Sequence, residues 1–108
     1  MMENKLGKIS KVSFGFGGYQ EAQFGISFVL GGESWGVGDF WGMWATRTSG
    51  AKWTVGDQKE SFGDMCLKVI DLLKDAKVES VDKLKGVPVE VELEGNCLKD
   101  WRVLKEVL

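Results

Sequence analysis

The chain has 108 residues, of which 14 are basic and 16 acidic, and its formal net charge is −2. A chain of this length predicts one domain, residues 1–108, built around a single core, and the small acidic excess argues against long duplex DNA as a partner. The sequence holds no histidine, which excludes the commonest general base and every catalytic triad that depends on one.

The apolar runs are too short to cross a bilayer, which takes about 20 residues. The first ten residues, MMENKLGKIS, lack the apolar stretch of a signal peptide. We therefore expect a cytoplasmic protein with no membrane contact. Cys66 and Cys97 stand in different contexts without metal-ligand spacing, so we expect two buried free thiols.

The first predicted elements are two β-strands. Residues 6–14, LGKISKVSF, alternate imperfectly and predict a strand that ends at Phe14. In residues 22–32, AQFGISFVLGG, large apolar side chains fall at every second position, which predicts a strand with one core face and one lightly packed face. Gly31 and Gly32 then offer a hairpin turn. The core-facing positions are Phe24, Ile26, Phe28 and Leu30.

A third strand is predicted over residues 34–44, SWGVGDFWGMW, and its two faces differ. Three glycines on one face leave a smooth surface that a second sheet, an aromatic ring or a ligand can approach closely. Eleven of the 15 glycines lie in the first 50 residues, so we expect the N-terminal half to be a curved β meander, followed by a polar loop at 45–53. One face of the strand holds Trp35, Val37, Asp39, Trp41 and Met43, and the other holds Gly36, Gly38, Phe40, Gly42 and Trp44.

After residue 53 the apolar spacing becomes helical. Residues 54–77 predict an amphipathic helix of about five turns, opened by a cap of Thr54 with Asp57 or of Asp57 with Glu60. Gly63 inside this helix indicates close packing there, and a short helical turn over 78–86 follows. The predicted core positions of the helix are Phe62, Met65, Cys66, Val69, Ile70, Leu73 and Ala76.

Residues 87–108 predict a β-hairpin that turns at Gly95 and Asn96. A simple two-residue turn would place the core residue Val91 opposite Asp100. A bulge near Asp100, or one extra loop residue, restores Val91 opposite Trp101. The same register places Val89 opposite Val103 and Glu90 beside Arg102.

Together these elements predict an α+β fold. It consists of a three-stranded glycine-rich antiparallel meander, one long amphipathic helix and a C-terminal hairpin, packed as one sheet or a partly open barrel.

Three stretches, FGFGGYQEAQFGISFVLGG, SWGVGDFWGMW and VPVEVELEGNCLKDWRVL, together resemble a family of small uncharacterised proteins encoded by bacteriophages and prophages. The resemblance spans nearly the whole chain. It implies a protein of the infected host's cytoplasm, where small non-enzymatic phage proteins bind DNA, block host enzymes or sequester host immune signals. It carries no catalytic or binding residues over to this chain.

The carboxylates of the chain give no sign of catalysis. Asp71 and Asp75 fall on the solvent side of the predicted helix, and Glu90, Glu92 and Glu94 alternate along a solvated strand face. No nucleophile lies beside a base. The stretch GFGGYQ matches neither the phosphate loop nor the dinucleotide fingerprint. We expect a protein that is not an enzyme and has no metal and no cofactor.

Tryptophan and glycine carry the functional signal. Four of the five tryptophans fall between residues 35 and 53, among glycines. An indole gives a base a wide, rigid face for stacking, and bare glycine backbone presents N–H groups to phosphate oxygens. Tryptophans also fill cores, but four exceed what one small core holds, so at least one belongs to a ligand site or a subunit interface. The candidate ligand-binding residues are Gly17, Gly18, Tyr19, Gln20, Trp35, Asp39, Trp44, Arg47 and Lys52.

Some of these candidates have a structural alternative. Tyr19 and Gln20 follow a glycine pair and suit a plain turn as well as a contact to a base. Asp39 lies on an otherwise apolar strand face, so a buried carboxylate there needs a partner, either Arg47 or an indole N–H.

The leading hypothesis is a non-catalytic phage protein that binds a small nucleotide-type ligand in a pocket between protomers of a homo-oligomer. Its role would be that of a sponge, which counters host defence by sequestering an immune signal. Two alternatives stay open: a protein that binds single-stranded nucleic acid, and an inhibitor that caps a host enzyme.

Overall fold

The computed structural model describes residues 2–18, 20, 22–48 and 50–108. A meander of three strands is followed by one long helix and then by a hairpin of two strands, in the predicted order. The strands are β1 (Met2–Gly17), β2 (Gln23–Gly31), β3 (Gly36–Trp44), β4 (Pro88–Glu94) and β5 (Cys97–Val103); the helix is α1 (Val55–Ala76), and short 3₁₀ helices span Val81–Leu84 and Lys105–Val107.

The five strands form one antiparallel sheet in the order β3-β2-β1-β4-β5. The sheet curls into a half-barrel, which confirms the predicted α+β fold with a partly open barrel. Because the sheet curls, its two outer strands come together, and Asp39 of β3 accepts a hydrogen bond from Trp101 of β5. Over the described ranges, no helix combines the length and the apolarity that crossing a membrane requires.

Strand β1 joins the two halves of the sheet. Its first part pairs with β4 as far as Lys8, and its second part pairs with β2 from Lys8 onward. A bulge at Ser10 interrupts the pairing with β2 between Ile9 and Lys11. The prediction that this strand ends at Phe14 was wrong, because Gly15 and Gly17 continue the ladder opposite β2. Glycines do not exclude a strand where the partner backbone is in place to pair with them.

The core lies between the inner face of the sheet and α1. The alternation predicted for β2 is confirmed, since Ile26, Phe28 and Leu30 are fully buried and β1 and β4 contribute the neighbouring positions. The buried apolar residues are Ile9, Ile26, Phe28, Leu30, Met65, Leu72, Ala76, Leu84, Val87, Val89, Val91, Leu93 and Val103.

Helix α1 begins at the first of the two predicted caps. The Thr54 hydroxyl accepts from the backbone N–H of Asp57 at 3.0 Å, and the Asp57 carboxylate accepts from the backbone N–H of Thr54 at 2.8 Å. This reciprocal pair is a complete capping box.

The buried stripe of α1 is rotated from the one the spacing predicts. Cys66 and Ile70 are exposed, whereas Leu72 is buried. The open space around a Cβ at Gly63 also contradicts the close packing predicted there. Both cysteines are free and exposed, so the expectation of buried thiols was wrong as well.

The C-terminal hairpin has the predicted bulge. Val91 pairs with Trp101, and the register shifts between Glu92 and Leu93. The Nε of Arg102 donates to Glu90 at 3.0 Å on the solvent face of this hairpin. The pattern of valines therefore decided the register, because an unshifted pairing would have set a carboxylate against the core.

Candidate functional site

The predicted ligand residues lie in three separate places. Six of them gather at one end of the sheet, where the β1–β2 turn and the end of β3 come together. Asp39 lies between the two outer strands, and Trp35 lies at the far end of the β2–β3 hairpin. Tyr19 falls outside the described residues. The six are Gly17, Gly18, Gln20, Trp44, Arg47 and Lys52.

The register explains why the first group meets. Gln23 pairs with Gly17 on one side and with Trp44 on the other, so the β1–β2 turn and the end of β3 share one end of the sheet. The described residues 45–48 and 50–53 follow β3, and the N–H of Ala45 donates to the carbonyl oxygen of Ala22 at this end of the sheet. Between loop and sheet lies a cavity of about 550 Å³, which we name the end pocket. It is lined by Phe16, Ala22, Trp44, Ala45, Thr46, Thr48, Gly50, Ala51, Lys52 and Trp53.

The end pocket combines aromatic walls with a positive charge. Trp44 and Trp53 are half-buried, whereas Phe16 is 70% exposed at the rim. Lys52 is exposed and, among the described residues, forms no ion pair. No carboxylate belongs to the described lining of the end pocket. Its electrostatics therefore favour an anionic ligand with a flat apolar part.

Two side chains hold the loop of the end pocket in place. Arg47 donates from Nε to the carbonyl oxygen of Trp53 at 2.7 Å and from one terminal nitrogen to that of Ala51 at 3.4 Å. Gln58 of α1 donates to the carbonyl oxygens of Trp44 at 2.8 Å and Ala45 at 3.1 Å. The wall of the pocket is thereby formed before any ligand arrives.

Gln58 was absent from the sequence-based candidates. Its only signal is its position in the first turns of α1, directly after the capping box, and that position does not indicate which carbonyl groups it reaches. Arg47 was predicted as a ligand-binding residue, and in the structure two N–H groups of its guanidinium bond to the loop.

On the side of β1 and β2, the described lining of the end pocket consists of Phe16 and Ala22, and it does not include Gly17, Gly18 or Gln20. Gly18 and Gln20 both have left-handed backbone, with φ of 68° and 54°, and Gln20 is exposed. A side chain at Gly18 would also overlap the amide of Gln23. At Gly17 the Phe40 ring comes within 3.2 Å of where a Cβ would lie. Both glycines therefore have a steric reason to be glycine, whatever the turn contacts.

Asp39 occupies a second cavity, the edge cleft, between β3, β5 and α1. Its Oδ2 accepts from the indole N–H groups of Trp41 at 3.0 Å and Trp101 at 2.7 Å, so the indole partner is confirmed and Arg47 is not the partner. The two indoles are stacked at 5.6 Å between ring centroids, and the Lys68 ammonium lies 4.2 Å from the centroid of Trp41. These contacts join the two outer strands of the half-barrel.

The edge cleft has about the same volume as the end pocket, about 560 Å³, but its charge differs. Its described lining carries four carboxylates and three basic side chains. Since the carboxylates outnumber the basic groups, the edge cleft suits an anion less well than the end pocket does. The charged lining consists of Asp39, Asp71, Asp75, Asp100, Lys68, Lys99 and Arg102.

Trp35 belongs to neither of these cavities. Its indole covers the backbone of Gly7, where an added Cβ would lie 2.8 Å from the ring, and the Lys5 ammonium lies 5.7 Å from the ring centroid. Leu6, Val29 and Trp35 help to line an open groove of about 790 Å³ at this end of the sheet. Because Trp35 and Trp44 flank opposite ends of β3, they do not line one cavity within a single copy of the chain.

Within the described ranges, no three Cys, Asp or Glu side chains lie close enough to hold a metal ion. In comparisons with protein-family models, with curated proteins and with solved structures, nothing matches this chain. The geometry of the three cavities is therefore the basis for assigning a function.

Proposed function

We propose that this protein binds a small nucleotide-type ligand in the end pocket without catalysing a reaction. One observation carries the proposal: a preformed cavity of about 550 Å³ has two indoles and a lysine in its lining and no carboxylate among its described residues. This volume falls within the range of about 300–1,000 Å³ usual for small-molecule sites. A base stacks on an indole, and a phosphate pairs with an ammonium group.

The residues of the end pocket have separate roles in this proposal. Trp44 and Trp53 provide the stacking faces for the base, and Lys52 pairs with a phosphate group. The hydroxyl groups of Thr46 and Thr48 serve as donors or acceptors for ribose and phosphate oxygens. Arg47 positions the loop through its bonds to the carbonyl oxygens of Trp53 and Ala51. Gly17, Gly18 and Gln20 lie outside the described lining of the end pocket and have no direct contact with the ligand in this proposal.

The biological role we propose is sequestration. The chain lacks histidine, and the described lining of the end pocket offers no carboxylate that could serve as a general base. A bound nucleotide would thus be held and not turned over. The resemblance to phage-encoded proteins suggests that the ligand is a signalling nucleotide of the host's immune response.

A thermal-shift assay against cyclic and linear nucleotides tests the proposal. At a hundred times the dissociation constant, a ligand adds about 2.7 kcal/mol to the free energy of unfolding, which raises Tm by several degrees in a domain of this size. We expect one nucleotide class to give this shift and Lys52→Glu to abolish it. Lys59→Glu is the matched control, because Lys59 is also exposed but lies outside the lining.

Salt separates this proposal from binding of single-stranded nucleic acid. A pocket for one small anion loses little affinity as salt rises, whereas a strand that contacts many phosphates loses affinity steeply. A Tm shift that occurs only with oligonucleotides and disappears in salt would contradict the proposal. Silence across the whole panel would also contradict it and would favour a host protein as the partner.

A further inference from the structure

A second feature of the sheet lies outside the proposed ligand site: the far half of β1 has a neighbour on only one side. Lys8 pairs with both Gly31 of β2 and Pro88 of β4. The N–H of Ile9 donates to Val87, and the carbonyl oxygen of Ile9 accepts from Gly86. Beyond this point, within the part of the chain that the structure describes, no strand pairs with the side of residues 11–17 that faces away from β2.

This free edge carries two exposed aromatic rings. Phe14 is 51% and Phe16 is 70% exposed, and both face the same side as the buried Ile26, because Phe14 pairs with Ile26 and Phe16 with Phe24. Each ring meets Phe24 edge-to-face, at 5.3 Å for Phe14 and 5.4 Å for Phe16. The apolar face of the sheet therefore continues past α1 to an edge with unpaired backbone groups.

Proteins usually protect such an edge with lysine, proline or a bulge. Lys11, at the start of this free edge, is its one charged residue. The stretch that follows, residues 12–18, VSFGFGG, contains no charged residue and no proline, and the bulge of β1 lies earlier, at Ser10. An unprotected edge with exposed apolar side chains is a site for pairing with another strand.

We propose that this edge pairs with the same edge of a second copy of the chain, antiparallel and about a two-fold axis at Gly15. In this register Phe14 of each copy lies opposite Phe16 of the other, and Gly15 lies opposite Gly15. The segment SFGFG has the symmetry that this arrangement needs, because a phenylalanine stands on each side of the central glycine. A strand of another protein would need the same pattern of a phenylalanine on each side of a glycine. A second copy of this chain already has that pattern.

Side chains alternate between the two faces of a strand, and this alternation limits where the two-fold axis can lie. Residues directly opposite each other in an antiparallel pair point to the same face, so the axis must pass through a residue and not between two. Axes at Phe14 or Phe16 would pair only one ring with its own copy and place the other ring opposite Val12 or Gly18. The axis at Gly15 alone pairs every ring with another ring.

The area involved predicts a weak dimer. A phenylalanine buries roughly 200 Å² when fully covered, so four rings that are half exposed or more contribute on the order of 500 Å². Stable interfaces bury about 1,200–2,000 Å². We therefore expect a concentration-dependent equilibrium between monomer and dimer, in which Phe14 of the second copy extends the aromatic rim of the end pocket at Phe16.

Sedimentation equilibrium over a concentration series tests the association. We expect the average mass to rise from monomer to dimer, and Phe16→Glu to weaken association at least about tenfold, because the carboxylate would be forced against a ring. Leu67→Glu is the matched control, since Leu67 is 62% exposed on the outer face of α1, and it should leave association unchanged. Phe14→Glu should act as Phe16→Glu does, and its residue lies outside the end-pocket lining.

Disulfide cross-linking determines the register of the two β1 strands in the dimer, even if the glutamate variants lose stability. Phe14→Cys and Phe16→Cys are made separately in a Cys66→Ser, Cys97→Ser background. An axis at Gly15 predicts a disulfide only when the two variants are mixed. A disulfide formed by either variant alone would overturn this register. A monomer at every concentration would overturn the dimer, as would oligonucleotide binding that the two glutamate variants abolish in a monomeric protein.

Discussion

Asp39 shows how one carboxylate can join two strands that are far apart in the sequence. It accepts indole N–H groups from its own strand β3 and from β5, and Phe28 contacts both indoles edge-to-face, with centroid distances of 4.7 and 5.0 Å. Hydrogen bonds to a charged acceptor are about twice as strong as neutral ones. The carboxylate is therefore placed to stabilise the curl of the sheet, because it links the two outer strands directly.

Replacing Asp39 tests this role. We expect Asp39→Ala to lower the free energy of unfolding by about 2–3 kcal/mol, because two indole N–H groups lose a charged acceptor. Urea unfolding followed by tryptophan fluorescence measures the change. Asp71→Ala is the control, since Asp71 is exposed on α1, and it should stay within about 0.5 kcal/mol of the wild type. Equal effects of the two substitutions would contradict the role given to Asp39.

The glycines divide into those that the structure requires and those that it does not. An added Cβ at Gly42 would lie 2.6 Å from the Phe40 ring, which covers this part of the outer face. At Gly63, in the exposed face of α1, an added Cβ would meet no atom within 4 Å. Packing in β3 therefore requires a glycine at position 42. At position 63 no neighbour requires one, so the glycine only lowers the helix propensity of α1.

Alanine at these two positions should have opposite effects. We expect Gly63→Ala to raise the free energy of unfolding by about 1 kcal/mol through helix propensity, and Gly42→Ala to lower it, because Phe40 would have to leave its place. Paired urea unfolding curves of the two variants measure both changes. A stabilising Gly42→Ala would show that Phe40 does not depend on bare backbone.

At the scale of elements, the sequence predicted what local patterns determine. The valines of β4 determined the register with β5, and Thr54 with Asp57 marked the start of α1. The sequence did not predict which way α1 faces at Cys66 and Ile70, because several apolar stripes fit one helix and tertiary packing selects among them. The length of β1 was missed because Gly15 and Gly17 have low strand propensity.

The candidate site was predictable only in part, because tertiary structure decides which of its residues come together. The tryptophans and Lys52 can be chosen by residue type alone. Six of the nine proposed residues lie at one end of the sheet, and two of these, Trp44 and Lys52, line the end pocket. The division among three cavities depends on strand register and curl, which place Trp35 and Trp44 at opposite ends of β3. The hydrogen bonds from Arg47 and Gln58 to backbone carbonyl oxygens depend on the geometry of the loop, which the spacing of apolar residues does not predict.

At the scale of the whole molecule, the half-barrel has two distinct aromatic sites. In the edge cleft, the indoles of Trp41 and Trp101 already donate to Asp39, so that cluster serves the fold. In the end pocket, Trp44, Trp53 and Lys52 belong to the lining of one cavity. Because each site has its own pair of indoles, the binding that we propose at the end pocket can be observed separately from any change in the edge cleft.

The most direct measurement is a titration of ¹⁵N-labelled protein with nucleotides, followed by NMR through the signals of the five indole N–H groups. Single tryptophan-to-phenylalanine variants assign the signals. A nucleotide bound in the end pocket is predicted to shift the signals of Trp44 and Trp53 and to leave those of Trp41 and Trp101 in place. If no nucleotide moves any indole signal, or if only the pair bonded to Asp39 responds, the end pocket is not the ligand site.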